Sequence, residues 1–503
     1  MMNRRSAGLF PKIFRRFSDV VKKSEASVVP RIGNQFSKYR LKDFGELPRG
    51  EIPRELEYVP RSHLEKLSNG AKIYCEEYPT GTTVTSLYLR AGSRFETQDS
   101  LGVAHVLWNL SLKGNLALGP TLERLGANVQ LSIDRDIIGY HVECLPENAA
   151  AALTVLCQAV LTPNLGESLL QAEKHQVFQN ILNVSRDQHK QSLEFLYFTC
   201  FRDHSMGQSA FGAKDNIKNI NLRHVEEHIA CTYAGENALA VFSGDLSAVQ
   251  QLQDVAARFL GGLPAAPLQQ MPNLDRPLHT PSTFIARDDE MHNINIAVGY
   301  CGPPMSDPKT FHYRMFQEIL GQYDARHHGA AHLNYAGLSY NYLQRHLGRL
   351  PGVGMQTCAH LPSADHSLFT AFIHGNEAYG HYLTAVVPCV LSQAASNLNI
   401  VEVYRARARW FNKLLLRTAG STVNDEIARE LFFIGRRIDR SEAARRYSAL
   451  ACEKLLAKFA YETFFDAEVG MSFWGACHNM VETSYYSRII TDATKGRPFS
   501  IVA

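Results

Sequence analysis

Residues 83–114 read TVTSLYLRAGSRFETQDSLGVAHVLWNLSLKG, and three local signals succeed one another there. Thr83–Ala91 is rich in β-branched and aromatic residues and reads as a strand. Gly92–Ser100 interrupts it with small and polar residues. Gly102–Lys113 then has the apolar spacing of a helix, with Gly114 in the position of a helix stop. The same order returns later in the chain, where Ile294–Tyr300 is strand-like, Gly302-Pro303-Pro304 a turn and Lys309–Leu320 helical. A strand, turn and helix repeated within 503 residues predict a duplicated α/β (α+β) chain. Each of its two homologous halves, of about 200 residues, would hold a mixed β-sheet packed with helices.

Upstream, Leu64–Gly70 carries an Asn-Gly turn signal into an extended run, Ala71–Glu76. Ala127–Leu145 is again strand-like, 148–161 and 166–200 are helical, and Ala238–Ser243 is a last strand of the first half. Between Gly261 and Pro281, prolines at 264, 267, 272, 277 and 281 interrupt any regular element and mark a linker. The resulting division is an N-terminal extension 1–55, a first half 56–262, a Pro-rich link 263–282, a second half 283–490 and a tail 491–503.

The formal charge of +3 averages two unlike segments. Residues 1–55 hold thirteen Lys/Arg and six Asp/Glu, a surplus of +7, so the remainder carries −4. A mildly acidic body excludes the basic footprint expected of a nucleic-acid binder. At the front, Arg4, Arg5, Lys12, Arg15 and Arg16 precede the first acid, Asp19, while Phe10, Ile13, Phe14 and Phe17 recur at spacings of three and four. This is the composition of a mitochondrial transit peptide, the alternative being a disordered basic tail. Arg15-Arg16-Phe17-Ser18 resembles a processing site. Ten cysteines without a CxxC pair predict buried, reduced thiols. No run approaches the roughly 18 apolar residues of a membrane-spanning helix.

Chemistry is first suggested at Gly102–Asn109. A zinc peptidase can use His-x-x-Glu-His on a helix because positions i and i+4 share a face: two imidazoles hold the metal and the Glu polarises its water. Here His105 keeps the first position, but Trp108 stands where the Glu would be and Asn109 where the second His would be. An indole cannot take a proton from water, and a neutral amide is a weak zinc ligand.

Leu89–Glu96, Gly102–His105 and Leu112–Gly114 together resemble the pitrilysin-like metallopeptidases. Within them, they are similar to the mitochondrial branch of processing-peptidase β-subunits and complex III core 1 proteins. Leu64–Gly70, Leu122–Leu131, Phe259–Pro264, Ile319–Asp324 with Gly329, and Glu430–Ile438 agree in order, so the resemblance covers about 57–490. It implies two halves closing as a bowl-like clamshell. It also implies a distal Glu ligand on a helix seventy to eighty residues after the motif, which falls near Ile181, with Glu173 the nearest carboxylate upstream. With His105 alone retained, the chain is expected to be an inactive peptidase homologue without a metal or other cofactor; one imidazole cannot supply the ~10–16 kcal/mol of a multi-ligand structural zinc site. The glycine-rich loop of α-type subunits is not matched, since 321–331 holds two glycines, Gly321 and Gly329. The resemblance therefore implies a structural core subunit of respiratory complex III on the matrix side of the mitochondrial inner membrane. Its partners would be a core 2 or α-like homologue, cytochrome b, cytochrome c1 and the Rieske protein, with membrane contact only through them. The alternatives are an active β-type presequence peptidase and an inactive presequence-binding partner.

Other motifs are read more plainly. His224-Val225-Glu226-Glu227-His228 matches His-x-x-Glu-His but precedes a strand instead of coming after the Gly-Ser turn, so it reads as a solvated helix face. His327, His328 and His332 read as a polar loop. Tyr335, Tyr340, Tyr342, Tyr485 and Tyr486 read as strand and loop packing or as a contact surface. Residues 402–417 read as a solvated basic helix face opposite Val403, Trp410, Phe411 and Leu414.

Overall fold

A computed structural model describes residues 44, 47–48, 51–113, 118–202, 204–324, 352–381, 383–384, 398–465 and 469–477. The first half builds one sheet from β1 (Ser62–Lys66), β2 (Lys72–Glu77), β3 (Thr83–Leu89), β4 (Asn128–Ile133), β5 (Ile138–Cys144) and β6 (Ala238–Gly244), in the order β1-β2-β6-β3-β5-β4. The second half builds another from β7 (Thr283–Arg287), β8 (Asn293–Gly302), β9 (Tyr323–Asp324), β10 (Val353–Pro362), β11 (Ser367–Asn376) and β12 (Val469–Gly475), in the order β7-β12-β8-β11-β10-β9. In each sheet a parallel pair, β2 with β6 and β7 with β12, adjoins an antiparallel run, β6-β3-β5-β4 and β12-β8-β11-β10. Five strands therefore correspond in order, β2-β6-β3-β5-β4 with β7-β12-β8-β11-β10, as the duplication predicts, while β1 and β9 are additions at opposite edges.

The longer helices among the described residues are α1 (Val103–Lys113), α2 (Pro146–Leu161), α3 (Glu167–Arg186), α4 (Gln188–Cys200), α5 (Leu222–Thr232) and α6 (Val249–Leu260) in the first half. In the second they are α7 (Lys309–Leu320), α8 (Ile400–Leu415), α9 (Ser421–Arg429) and α10 (Arg440–Ala449). The stretch 166–200, expected as one helix, is two. Asp187 accepts hydrogen bonds from the backbone N–H groups of His189 and Lys190, both at 3.1 Å, and so caps a new helix start.

Every residue of β3 is buried because both faces of its sheet are covered. Ile73, Leu87, Leu89, Tyr140, Ala240 and Phe242 face the helices of their own half. Tyr74, Tyr88, Leu239 and Val241 face Val423, Ile427 and Leu431, which belong to α9 and its continuation in the second half. The relation is reciprocal: α4 of the first half lays Leu196, Tyr197 and Cys200 on Ala297, Leu368 and Phe372 of the second sheet. Each half thus lends a helix to the outer face of the other half's sheet, and α3-α4 corresponds to α8-α9 in this exchange.

Two expectations are corrected. Phe44 and Leu56, placed by the charge division in or beside the basic extension, lie in the core of the second half, where Arg446 donates to the Phe44 carbonyl at 2.9 Å. Apolar burial therefore begins before residue 56. Among the described cysteines, Cys452 is exposed and Cys231, Cys301 and Cys477 are only half-buried, since they sit at helix and strand margins. Residues 1–43, Cys389, the histidines 327, 328 and 332 and the tyrosines 335, 340, 342, 485 and 486 lie outside the described residues.

Candidate functional site

The turn after β3 holds α1 in place before any catalytic question arises. A Cβ on Gly92 would stand 2.2 Å from the Arg135 carbonyl oxygen, so only glycine lets the turn lie against the β4–β5 hairpin. Glu96 then reaches forward: its two carboxylate oxygens accept from the backbone N–H groups of Gly102 and Ala104, each at 2.8 Å. Full burial pushes this carboxyl up to about 8 despite those donors, which favour the ionised form. Gly102 sits at φ +98°, a left-handed conformation suited to glycine, and α1 starts at the next residue.

His105 is buried on α1. Its Nδ1 lies 3.0 Å from the Phe211 carbonyl oxygen, which marks it as the protonated nitrogen and leaves Nε2 as acceptor. Nε2 meets Asn180 Nδ2 at 3.5 Å. Burial lowers the imidazole pKa, so the ring is neutral at neutral pH. Trp108 and Phe211 pack edge-on to it, with ring centroids at 5.5 and 5.9 Å. Asn109 turns its amide back to the His105 carbonyl oxygen at 3.2 Å.

The distal expectation shifts by one residue. Ile181 packs in the core, and the side chain that stands opposite His105 is Asn180. The helix register explains it. Lys113 pairs with Glu173 at 3.2 Å, so α1 and α3 run antiparallel. Moving eight residues back along α1 reaches His105, and moving seven forward along α3 reaches Asn180. Glu173 is therefore committed to Lys113, two turns from the imidazole. Among the described residues, the set recorded around the neutral His105 imidazole is two carboxamides and an indole, with no carboxylate and no second imidazole. It does not fit a zinc ion, whose sites are built from imidazole, thiolate and carboxylate donors.

The second motif is also resolved. His228 is not on a solvated face; it is buried on α5, with Nε2 at 2.9 Å from the Ala91 carbonyl oxygen, and burial lowers its pKa to about 4. Glu227 pairs instead with Arg223, at 2.7 Å on the exposed side. His228 thus braces the end of β3, and its helix points its two histidines to different surroundings. Among the described residues no group of three His, Cys, Asp or Glu side chains is placed to hold a metal.

Residues 72–214 match the insulinase family, peptidase family M16, and residues 219–377 match the M16 inactive domain. The mitochondrial-processing peptidase subunit beta of Neurospora crassa is 25% identical over 462 residues, covering 86% of this chain and 91% of that one. The human cytochrome b-c1 complex subunit 1, mitochondrial, is 23% identical over 417 residues, covering 81% and 85%. A chain in the structure of complex III2 from Candida albicans with Inz-5 bound has the same fold, with a TM-score of 0.71 at 18% identity, over 86% of this chain and 99% of that one.

Proposed function

Since this chain belongs to the M16 peptidase family, we propose that it is one of the family's non-catalytic members and serves as a core subunit of mitochondrial complex III. The observation that carries the first part is the pairing of His105 with Asn180, where a metal site would need carboxylate and imidazole. Likeness to a mitochondrial core subunit over most of its length supports the second. In this role the chain contributes surfaces: a core 2 or α-like homologue beside it, and cytochrome b, cytochrome c1 and the Rieske protein above it, seen from the matrix side. No described helix is long and apolar enough to cross a membrane, so attachment to the inner membrane would run through those partners.

Native electrophoresis of inner-membrane extract followed by mass spectrometry tests the assembly. Comigration with cytochrome b and the Rieske protein is the expected result; comigration only with an α-type peptidase subunit would reject it. The competing reading, a β-type presequence peptidase, is favoured by the 25% identity to the Neurospora subunit. It requires cleavage of a fluorogenic presequence by the purified chain with an α-subunit, and we expect none.

Zinc gives a further expected outcome. A site at about 100 times its Kd in free metal would add about 2.7 kcal/mol to folding stability. We expect added zinc to leave the unfolding midpoint unchanged, and atomic absorption to find the same trace metal in wild type and His105→Ala. A stoichiometric signal lost in that variant would overturn the non-catalytic reading.

A further inference from the structure

We propose that the outward face of α8 is a docking seam for an acidic amphipathic helix of a partner protein. The seam's chemistry is independent of which mitochondrial assembly the chain serves.

α8 is capped at its start by Asn399, whose side chain accepts from Val401 N at 3.0 Å while Glu402 reaches back to Asn399 N. Its inner face is fully engaged. Val403, Ala406 and Leu414 are buried in the second-half core. Trp410 stacks on Tyr447 at 4.4 Å and donates to the Arg314 carbonyl at 3.1 Å. Lys413 pairs with Glu318, and Arg409 donates to the Glu318 carbonyl at 2.9 Å.

The outer face was expected to be a solvated basic surface, and it is not polar throughout. Val401, Tyr404, Ala408, Phe411 and Leu415 succeed one another at steps of three, four, three and four, with Phe411 half-buried and packed against the second-half core at the inner margin of the row. That is the spacing of the a and d positions in a helix that packs lengthwise on another helix. Val401, Tyr404 and Leu415 are 48%, 47% and 38% exposed, and Leu416, just past the helix end, is 78% exposed. The corresponding helix of the first half, α3, presents Glu167, Ser168, Gln171, His175, Gln176 and Gln179 outward. The apolar row is therefore particular to α8 and is not a requirement of the duplicated fold.

Charge selects the occupant. With Val401 as a, Arg405 takes an e position and Arg407 a g position, the places from which flanking charges choose a partner helix. The Arg407 guanidinium lies over the Tyr404 and Phe411 rings, 4.8 and 5.8 Å from their centroids, which holds it at the margin of the seam. Neither Arg405 nor Arg407 has a carboxylate partner among the described residues. The only acid on the helix, Glu402, is buried in the cap. A narrow a/d row flanked by two arginines without a carboxylate partner among the described residues fits a helix with apolar a and d residues and Asp or Glu beside them. A lipid surface would call for a broad apolar face instead of a two-heptad seam.

The test uses the full chain and a fluorescein-labelled synthetic peptide of about three heptads, with Leu at a and d and Glu at e and g. Fluorescence anisotropy should show saturable binding that weakens with salt. Arg405→Glu/Arg407→Glu should lose it at least about tenfold, and Tyr404→Glu likewise. The matching peptide with Lys at e and g should bind the double variant and not the wild type, which also shows that the variant is folded. Absence of peptide binding overturns the proposal. So does loss of binding that the Lys peptide does not restore, or flotation with phosphatidylglycerol vesicles in place of peptide binding.

Discussion

Arg94→Ala is expected to cost about 3–5 kcal/mol of unfolding free energy, because it removes the cation from a buried cluster and leaves its acids behind. Arg94 stands on the Gly-Ser-Arg-Phe-Glu turn and joins three parts of the chain. Its guanidinium meets Asp136 of the same half at 3.3 Å and Asp365, on the β10–β11 turn of the other half, at 2.6 Å. It also donates to the carbonyls of Asn273 and Asp275 in the Pro-rich link, at 3.0 and 2.8 Å. Asp136 is further tied to the second half through the Ser363 hydroxyl. Without Arg94, two carboxylates lose their shared cation, the Asn273 carbonyl loses its donor, and the Asp275 carbonyl keeps His204, at 3.2 Å. Arg94→Lys keeps the charge but not the fork, and should recover part of the loss.

The same cluster sets an acid limb. Burial alone would raise the Asp365 carboxyl, but hydrogen bonds from His366 and Arg94 overcome this and hold it well below the usual carboxylate range. A carboxyl depressed in the folded state stabilises the fold above its unfolded value, near 3.9, and that stabilisation is lost as pH falls through the folded value. Urea midpoints measured from pH 6 downward should therefore fall less steeply in Arg94→Ala than in wild type. An unchanged midpoint at neutral pH with an unchanged acid slope would show that the junction does not depend on this residue.

The duplicated plan is legible in the sequence because each half repeats strand, glycine turn and helix, and because sheets covered on both faces demand nearly continuous apolar strands such as TVTSLYL. The exchange of α4 and α9 between halves is not legible. Its contacts join residues as far apart as Tyr88 and Asp425, whose side chains meet at 3.0 Å, and such pairs leave no local period. At the site, Trp108 and Asn109 in the positions that His-x-x-Glu-His gives to Glu and His are visible in the motif itself. Asn180 is visible only once α1 and α3 are known to be antiparallel with Lys113 against Glu173. His228 shows the limit of motif reading, because its spacing says nothing of burial beneath the Ala91 carbonyl. In α8 the sequence shows apolar residues on more than one side, and only packing against Tyr447 and the core decides which row faces inward.

Arg437→Met should destabilise by a similar amount, about 3–5 kcal/mol, at the opposite end of the junction. Arg437 lies beneath the first sheet's outer face, between Glu76 of β2 at 3.0 Å and Glu430, in the continuation of α9, at 2.9 Å. All three side chains are at least nine-tenths buried. Burial alone would raise Glu76, but the guanidinium holds its pKa below the usual range, helped by the hydroxyls of Tyr78 and Tyr74 at 2.7 and 2.9 Å. Burial raises Glu430, and Arg437 offsets only part of that effect. Met is close to Arg in length and leaves little void, so the loss reports the missing charge more than a cavity. Glu430→Gln can still accept the Ile438 N–H, which now reaches Glu430 at 2.8 Å. The double variant Arg437→Met/Glu430→Gln should therefore be more stable than Arg437→Met alone, since one of two uncompensated charges is gone. The single Glu430→Gln should cost less than Arg437→Met, because Arg437 keeps Glu76. Urea unfolding of the four proteins closes a double-mutant cycle. Additive losses within about 0.5 kcal/mol would show that Arg437 and Glu430 are not coupled.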